Sequence, residues 1–405
     1  MKNINRVVCS LFIILCFCTI HATAQLDNRQ ITQDLHYAIK KANLPGMAVV
    51  LVDDKHIIYK HCFGEADIGA GKPYSLRTTQ EIGSVSKMIL SVALMKAIEL
   101  GYFKLDTDIN SILPFKVVNP YEPNHPITIR ELATHTSGIV DNPRVYINTY
   151  RFNIGLRPSN PAYLEPLQAL GYKKALADTT LSEFCFNYLA EKGTYFSAEN
   201  FVKTTSGRTS SYSNIATALI AYLIEIKSGT TYSIFTATHI FKPLHMNHSA
   251  WFLADLKLDK LAQLYYNNEV NFPLYDLITY PDGGLKTNAM DLSKFLVDMI
   301  KGLSGKSAIL QKESFKIMFT PQFSSSNTPT KLSLAKRNKG ILWNLYNNGT
   351  IGHDGDDPGV SSFLAFNPST GLGGFFLCNK YMDDKSTITD IITKALSRKV
   401  YGNSN

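Results

Sequence analysis

Apolar, β-rich stretches stand near both ends of this 405-residue chain, with a long block of helical pattern between them. "MAVVLVDD" and "HIIYKHCFG", at 47–54 and 56–64, surround an Asp53-Asp54-Lys55 turn and predict a hairpin. Strand-like runs near 340–346 and 360–366, a turn at "NPSTG" and the run "GGFFLCN" predict more strands near the other end. Strands so far apart in sequence are expected to pair into one largely antiparallel sheet with helices packed on it, an α+β fold. The helices are read from spacing: Ile31, Leu35, Ala38, Ile39 and Ala42 in "ITQDLHYAIKKA", then "DLSKFLVDMI", then a last helix near 385–399. Residues of about 103–280 are expected to form an all-helical lobe inserted in a single catalytic domain, 25–405. A cleft between the sheet edge and that lobe is where a site is expected.

The first 24 residues read differently from the rest. Lys2 and Arg6 precede the apolar run "VVCSLFIILCFCTI", and Ala22-Thr23-Ala24 is a small-x-small cleavage signal before Gln25. That is a secretory signal peptide, with the cut expected after Ala24 and a secreted or periplasmic mature protein. The run is short of the ~20 residues that span a bilayer, so no stable membrane span is expected. Net charge is +8, of which the leader carries two, leaving +6. The basic residues are dispersed and show no basic–aromatic pattern for nucleic acid. Three cysteines remain after cleavage, Cys62, Cys185 and Cys378, which allow at most one bridge and read better as buried small residues. No obligate protein partner is evident.

Chemistry enters with "EIGSVSKMILSVALMKAIELG", 81–101. Ser84 and Lys87 are three residues apart at the start of an apolar helix, and residues so spaced share a face. A serine hydroxyl is a poor nucleophile until a base takes its proton, and a lysine whose pKa burial has lowered can be that base. The plain alternative is that Ser84 is an ordinary N-cap. The same pattern recurs at Ser333 and Lys336, but there in a charged loop. In "SSYSNIATALIAYLI", Tyr212 and Asn214 lie where a polar run enters an apolar helix; a turn tyrosine and an Asn cap are the plain alternatives. In "IGHDGDDPGVSSFLAF", His353-Asp354-Gly355 is the sequence's one His-x-Gly, with a hairpin turn as its plain alternative. No G-x-S-x-G and no His-Glu-x-x-His occurs. His239, His245 and His248 could be recruited by a metal, but no metal or other cofactor is expected. His135 reads as a buried helix-end histidine.

Together these segments resemble the serine β-lactamase and penicillin-binding-protein family, in its class C-like, esterase and peptidase branch. "IGSVSK", "ITIRELATHTSGI", "YSN", "IFKPLHMNHSAWF", "GGLKTNAMDLSKFL" and "GHDGDDPG" stand in family order from about residue 28 to near 399. The resemblance implies a β-lactamase/transpeptidase-like fold and a serine hydrolase working through an acyl-enzyme on ester or amide bonds of a small or peptide-like substrate. Ser84 would be the nucleophile, with Lys87 and Tyr212 sharing base and proton-shuttle work. Asn214 would hold Lys87 and the substrate. His353 and Gly355 would line the strand edge, and the N–H groups of Ser84 and Asp356 would form the oxyanion hole. DD-peptidase or β-lactamase activity, or a low-turnover ligand sensor, are the alternatives. His353 stands where β-lactamases of this branch carry a lysine. Ser206-Gly207 replaces a frequent Pro-Gly, and His245 a usual glycine. With the lysine absent and Asp354, Asp356 and Asp357 beside His353, the cleft is expected to disfavour an anionic substrate terminus.

Overall fold

The computed structural model describes residues 28–398, apart from 154, 157–160, 170, 174, 177–178 and 205–206. The leader, 1–24, and Ser206 lie outside the described residues. Helix α1, Asn28–Lys41, leads into strands β1, Gly46–Val52, and β2, Ile57–Asp67. The expected turn joins them, with Asp53 Oδ1 accepting from the backbone N–H groups of Lys55 and His56, each at 2.7 Å. A short strand β3, Lys72–Pro73, continues from β2. Near the other end come β4, Arg337–Lys339; β5, Asn344–Tyr346; β6, Ile351–Asp357; β7, Val360–Asn367; and β8, Leu372–Cys378. All eight form one antiparallel sheet in the order β4-β5-β6-β7-β8-β1-β2-β3.

The two ends of the chain meet where β1 pairs with β8, in a register that sets Met47 opposite Cys378 and Val50 opposite Phe375. Both strands are buried along their whole length. Their side chains alternate between two cores, as the pleat requires. Met47, Val49 and Leu51 join Phe376, Ile31 and Ile392 on one face, under α1 and α6, Ser386–Leu396. Ala48, Val50 and Val52 face the larger core, which holds α2, Ser86–Glu99, and α5, Ala289–Leu303. In that larger core α2 packs on the lobe helix α4, Asn214–Ser228, which in turn packs on α3, Leu181–Leu189.

The fold class is the one expected from the sequence. The lobe is mainly helical but also carries two small strand pairs, Tyr150–Phe152 with Tyr275–Leu277 and Leu264–Tyr265 with Asn271–Phe272. Strands of two or three residues are too short for alternation to be read. Among the described residues no helix is long and apolar enough to cross a membrane. Cys62, Cys185 and Cys378 are unpaired.

Candidate active site

Ser84 does not cap a helix. It sits in a 3₁₀ turn, Gly83–Val85, and α2 starts two residues later behind Val85, which makes no side-chain cap. The turn is fastened by three hydrogen bonds, two to Leu285 and one to Ser362. Ile82 N–H donates to Leu285 O at 3.0 Å, Ser362 Oγ donates to Ile82 O at 2.6 Å, and Ser86 Oγ accepts from Leu285 N–H at 3.1 Å. Gly83 has φ +52°, and a β-carbon there would stand 2.8 Å from the backbone nitrogen of Asp356. A β-carbon on Gly355 would stand 2.3 Å from Ile82 O and 3.0 Å from the nitrogen of Ser84. Two glycines thus let the Ser84 turn lie directly on β6. Sequence reading singled out Gly355 but missed Gly83, whose only signal is its place before the serine.

Lys87, the second residue of α2, is fully buried. Its ammonium donates to Ser84 Oγ at 3.0 Å, Asn214 Oδ1 at 2.7 Å and the carbonyl of Asp282 at 2.6 Å. The Tyr212 hydroxyl is 2.6 Å from Ser84 Oγ, and Lys87 Nζ lies 4.9 Å from the Tyr212 ring centre. The structure therefore gathers Ser84, Lys87, Tyr212 and Asn214 within hydrogen-bond reach. Tyr212 is 44% exposed as a residue, so its ring walls an open cleft while its hydroxyl points inward onto Ser84.

Asn214 is spared from capping α4. Ser213 is the cap, accepting from Ala216 N–H at 3.0 Å. Asp141 gathers the same end, accepting from Ser213 Oγ at 2.8 Å, Asn214 N–H at 2.8 Å and Ile215 N–H at 3.0 Å. A carboxylate at a helix N-terminus suits the helix dipole. His135, 2% exposed just past the helix Ile129–Ala133, stacks on Tyr212 with ring centres 4.6 Å apart. Its role as a buried helix-end residue is the expected one, and the stacking adds a support for the tyrosine.

Burial governs the proton chemistry. It pushes the Lys87 ammonium below the ordinary lysine range, against the opposing pull of Asp282, Asp141, Asp357 and Asp354. It pushes the Tyr212 phenol well up; the Ser84 hydrogen bond opposes this, and Asp282 and Asp141 add to it. Of the two groups touching Ser84, the amine is thus eased toward its neutral, proton-accepting form, and the phenol is held protonated.

His353, Gly355 and Asp356 lie within β6, so the hairpin-turn reading does not hold; the turn follows, at Pro358-Gly359, with Gly359 at φ +74°. Beyond Gly352, β5 no longer pairs with β6, which leaves the edge from His353 to Asp357 facing the Ser84 turn. His353 is 5% exposed, with Nδ1 2.5 Å from Asp354 O, and burial takes its pKa down to about 4, so it is neutral at pH 7.

The acidic neighbours are arranged differently from the expectation. Strand alternation turns Asp354 and Asp356 away from His353. Both pair with Lys385: Asp354 Oδ2 lies 3.2 Å from its ammonium, and Asp356 is in direct contact. Asp357 is on the His353 side, accepts the Tyr150 hydroxyl, and burial raises its pKa to about 8. The carboxylates that were expected to repel an anion are thus paired or mostly protonated. Lys339, whose pKa burial and the nearby Arg337 lower to about 7, stands close enough to act on His353. What is left of the expected charge effect is the missing ammonium itself.

The histidines at 239, 245 and 248 do not converge. His239 packs on Phe235 at 4.6 Å, His245 takes a left-handed φ of 54°, and His248 N–H donates to Asp291. Among the described residues no three His, Cys, Asp or Glu side chains are grouped to hold a metal ion. Ser333 lies in an exposed turn whose carbonyl accepts Lys336 N–H at 3.0 Å, with no catalytic neighbour in its hydrogen bonds.

A family profile described as Beta-lactamase matches residues 28–396. "Protein flp" of Staphylococcus aureus (strain N315) is 20% identical over 358 residues, covering 87% of this chain and 63% of its own length. "Penicillin-binding protein 4*" of Bacillus subtilis (strain 168) is 22% identical over 263 residues, covering 61% of this chain and half of that protein. The chain thus spans under two thirds of either relative. Among solved structures, an octameric penicillin-binding protein homologue from Pyrococcus abyssi superposes with a TM-score of 0.71 at 22% identity, over 92% of this chain and 77% of that one. A penicillin binding protein from Bacillus halodurans gives 0.65 at 20% identity, over 88% and 98%. At such identities the two structures speak for the fold alone.

Proposed function

We propose that this chain, which belongs to the Beta-lactamase family, is an extracytoplasmic serine hydrolase that opens ester or amide bonds of small or peptide-like substrates through an acyl-enzyme on Ser84. One observation carries the reading: Ser84 Oγ lies 3.0 Å from Lys87 Nζ and 2.6 Å from the Tyr212 hydroxyl. Neutral Lys87 takes the Ser84 proton as Oγ forms its bond to the substrate carbonyl carbon. The N–H groups of Ser84 and Asp356, brought together by Gly83 and Gly355, supply the oxyanion donors. Tyr212 passes the proton to the leaving oxygen or nitrogen as that bond breaks. Water, deprotonated through the same pair, then releases the acid and restores Ser84. The extracytoplasmic part rests on the leader sequence.

The test is fluorophosphonate labelling of the mature protein, followed by turnover of short p-nitrophenyl esters, D-aminoacyl amides, D-Ala-D-Ala peptides and nitrocefin. The adduct is expected on the Ser84 peptide and absent from Ser84→Ala. Labelling that survives Ser84→Ala removes the reading, and a burst without steady turnover favours the low-turnover sensor.

Neutral His353 leaves the strand edge without the cation that would attract a substrate carboxylate. An ammonium at close range is worth a few kcal/mol at an effective dielectric near ~20. Wild type is therefore expected to turn over neutral esters faster than penicillins. His353→Lys should raise β-lactam acylation relative to ester acylation by about tenfold or more. An unchanged ratio in stopped-flow acylation would show that the charge at this position does not set the preference.

A further inference from the structure

Lys87 must lose its proton to act as the general base of the proposed hydrolase, and the role inferred for its neighbour Asp282 rests on that reading. Several groups face the Lys87 ammonium. Ser84 does so from the nucleophile turn, Asn214 and the Tyr212 ring from the start of α4, and the Asp282 carbonyl from the segment Tyr280–Asp282. The charges acting on it include Asp282, Asp141, Asp357 and Asp354, with His353 and Lys339 also within electrostatic reach. Asp141 is committed to three donors at α4, and Asp354 is paired with Lys385.

The Asp282 carboxyl is placed differently. It is 1% exposed, its Oδ1 accepts the Tyr146 hydroxyl at 2.9 Å, and its buried Oδ2 makes no hydrogen bond of good geometry, although the Thr279 hydroxyl is near enough to act on the carboxyl. Behind it, Tyr146 meets Tyr150 edge-on, ring centres 6.1 Å apart, and Tyr150 donates to Asp357. Asp357 Oδ2 in turn would lie 2.9 Å from a β-carbon on Gly283, the residue after Asp282. The Asp282-Gly283 segment therefore touches Lys87 through its backbone and a chain of two tyrosines and a second acid through its side-chain side. A structural salt bridge would place the carboxylate on the ammonium. Here the carbonyl takes that contact, and the charge is held back, buried and half-satisfied.

We propose that Asp282 is a positioning residue for the catalytic base: its carbonyl fixes the Lys87 ammonium, and its buried carboxylate, steadied by Tyr146, sets the pH at which Lys87 gives up its proton. Burial raises the Asp282 pKa to about 6, so the carboxylate is charged across the neutral range. An anion near Lys87 favours the ammonium form; removing it favours the neutral amine.

The experiment follows the rate of Ser84 labelling by a fluorophosphonate against pH, in wild type, Asp282→Asn and Tyr146→Phe. Asp282→Asn keeps the backbone carbonyl and an acceptor for Tyr146 but loses the charge. The acid limb of its profile is expected to move to lower pH by about one unit. Tyr146→Phe takes one donor from the carboxylate and leaves the Thr279 hydroxyl, so Asp282 protonates more readily and the limb moves the same way by less. A limb that stays in place under a lowered plateau is what a merely structural Asp282 would give, and it overturns the proposal, as does a shift to higher pH. If wild type is unlabelled at every pH, the serine hydrolase reading fails and this inference goes with it. If Asp282→Asn does not fold, Tyr146→Phe decides by the same criterion.

Discussion

Lys87→Met is expected to slow acylation of Ser84 by about 10³- to 10⁴-fold while leaving the protein folded. The side chain has three partners, and each bond changes meaning when it goes. Ser84 loses its proton acceptor, Asn214 its charge-assisted donor, and the Asp282 carbonyl its ammonium. Tyr212 remains beside Ser84, but its phenol is held well above the usual range by burial, so it is a poor substitute base at neutral pH. The stability side has the opposite sign. The folded-state pKa of Lys87 lies below its unfolded value, so its ionisation weakens the fold at neutral pH, and methionine relieves that strain. The unfolding temperature at pH 7 should hold or rise. Parallel measurement of probe-labelling rate and thermal unfolding checks both halves. A loss of less than tenfold would reassign the base to Tyr212.

A second buried lysine predicts the reverse pattern. Lys286 is fully buried, with Nζ 2.9 Å from Asp276 Oδ1 and 3.7 Å from Glu81 Oε1, and it also donates to the carbonyls of Trp251 and Gly284 at 3.2 Å each. Here the carboxylates do meet the ammonium. Lys286→Met would leave both without a cation, and breaking one side of a buried ion cluster costs about 3–5 kcal/mol. Equilibrium denaturation should show that loss. Glu81 is already pushed up by burial with Lys286 opposing, so the deficit should shrink at acid pH, where Glu81 takes a proton. Activity should fall as well, because Glu81 pairs with Lys286 across the strands Gln80–Glu81 and Lys286–Thr287, three residues before Ser84. Adding Glu81→Gln and Asp276→Asn to Lys286→Met should recover most of the stability. A single variant as stable as wild type would mean that the cluster carries no net stabilisation.

The contrast between these two lysines marks how far the sequence could be read. Ser84 and Lys87 are legible because helical geometry converts a spacing of three into proximity. Tyr212 and Asn214 are legible from context, a polar stretch opening a buried helix. Of the main sheet, β1, β2, β7 and β8 are legible because each carries its own β-rich pattern, whereas β6, IGHDGDD, carries none and is read as a strand edge only through the family resemblance. Other features left no mark in one dimension. Asp282 holds Lys87 through a carbonyl, a group every residue possesses, and its neighbours Gly283-Gly284 read only as a turn. Lys385 neutralises Asp354 and Asp356 from about thirty positions downstream, across a contact that no periodicity encodes. The acids beside His353 were legible as residues but not as charges, since pairing and burial decide the latter.

The seam between β1 and β8 also bears on how the chain is made. Residues 47 and 378 are direct partners, and α1 packs against α6. A ribosome must therefore deliver nearly the whole polypeptide before the central strands can find each other. Closing so long a loop adds little to the equilibrium cost, since each doubling of length costs only about 0.6 kcal/mol. It does delay the search, because distant pairings form slowly. Until its last strand emerges, the nascent chain has no finished sheet to lock it, and so remains open to being threaded through a narrow channel.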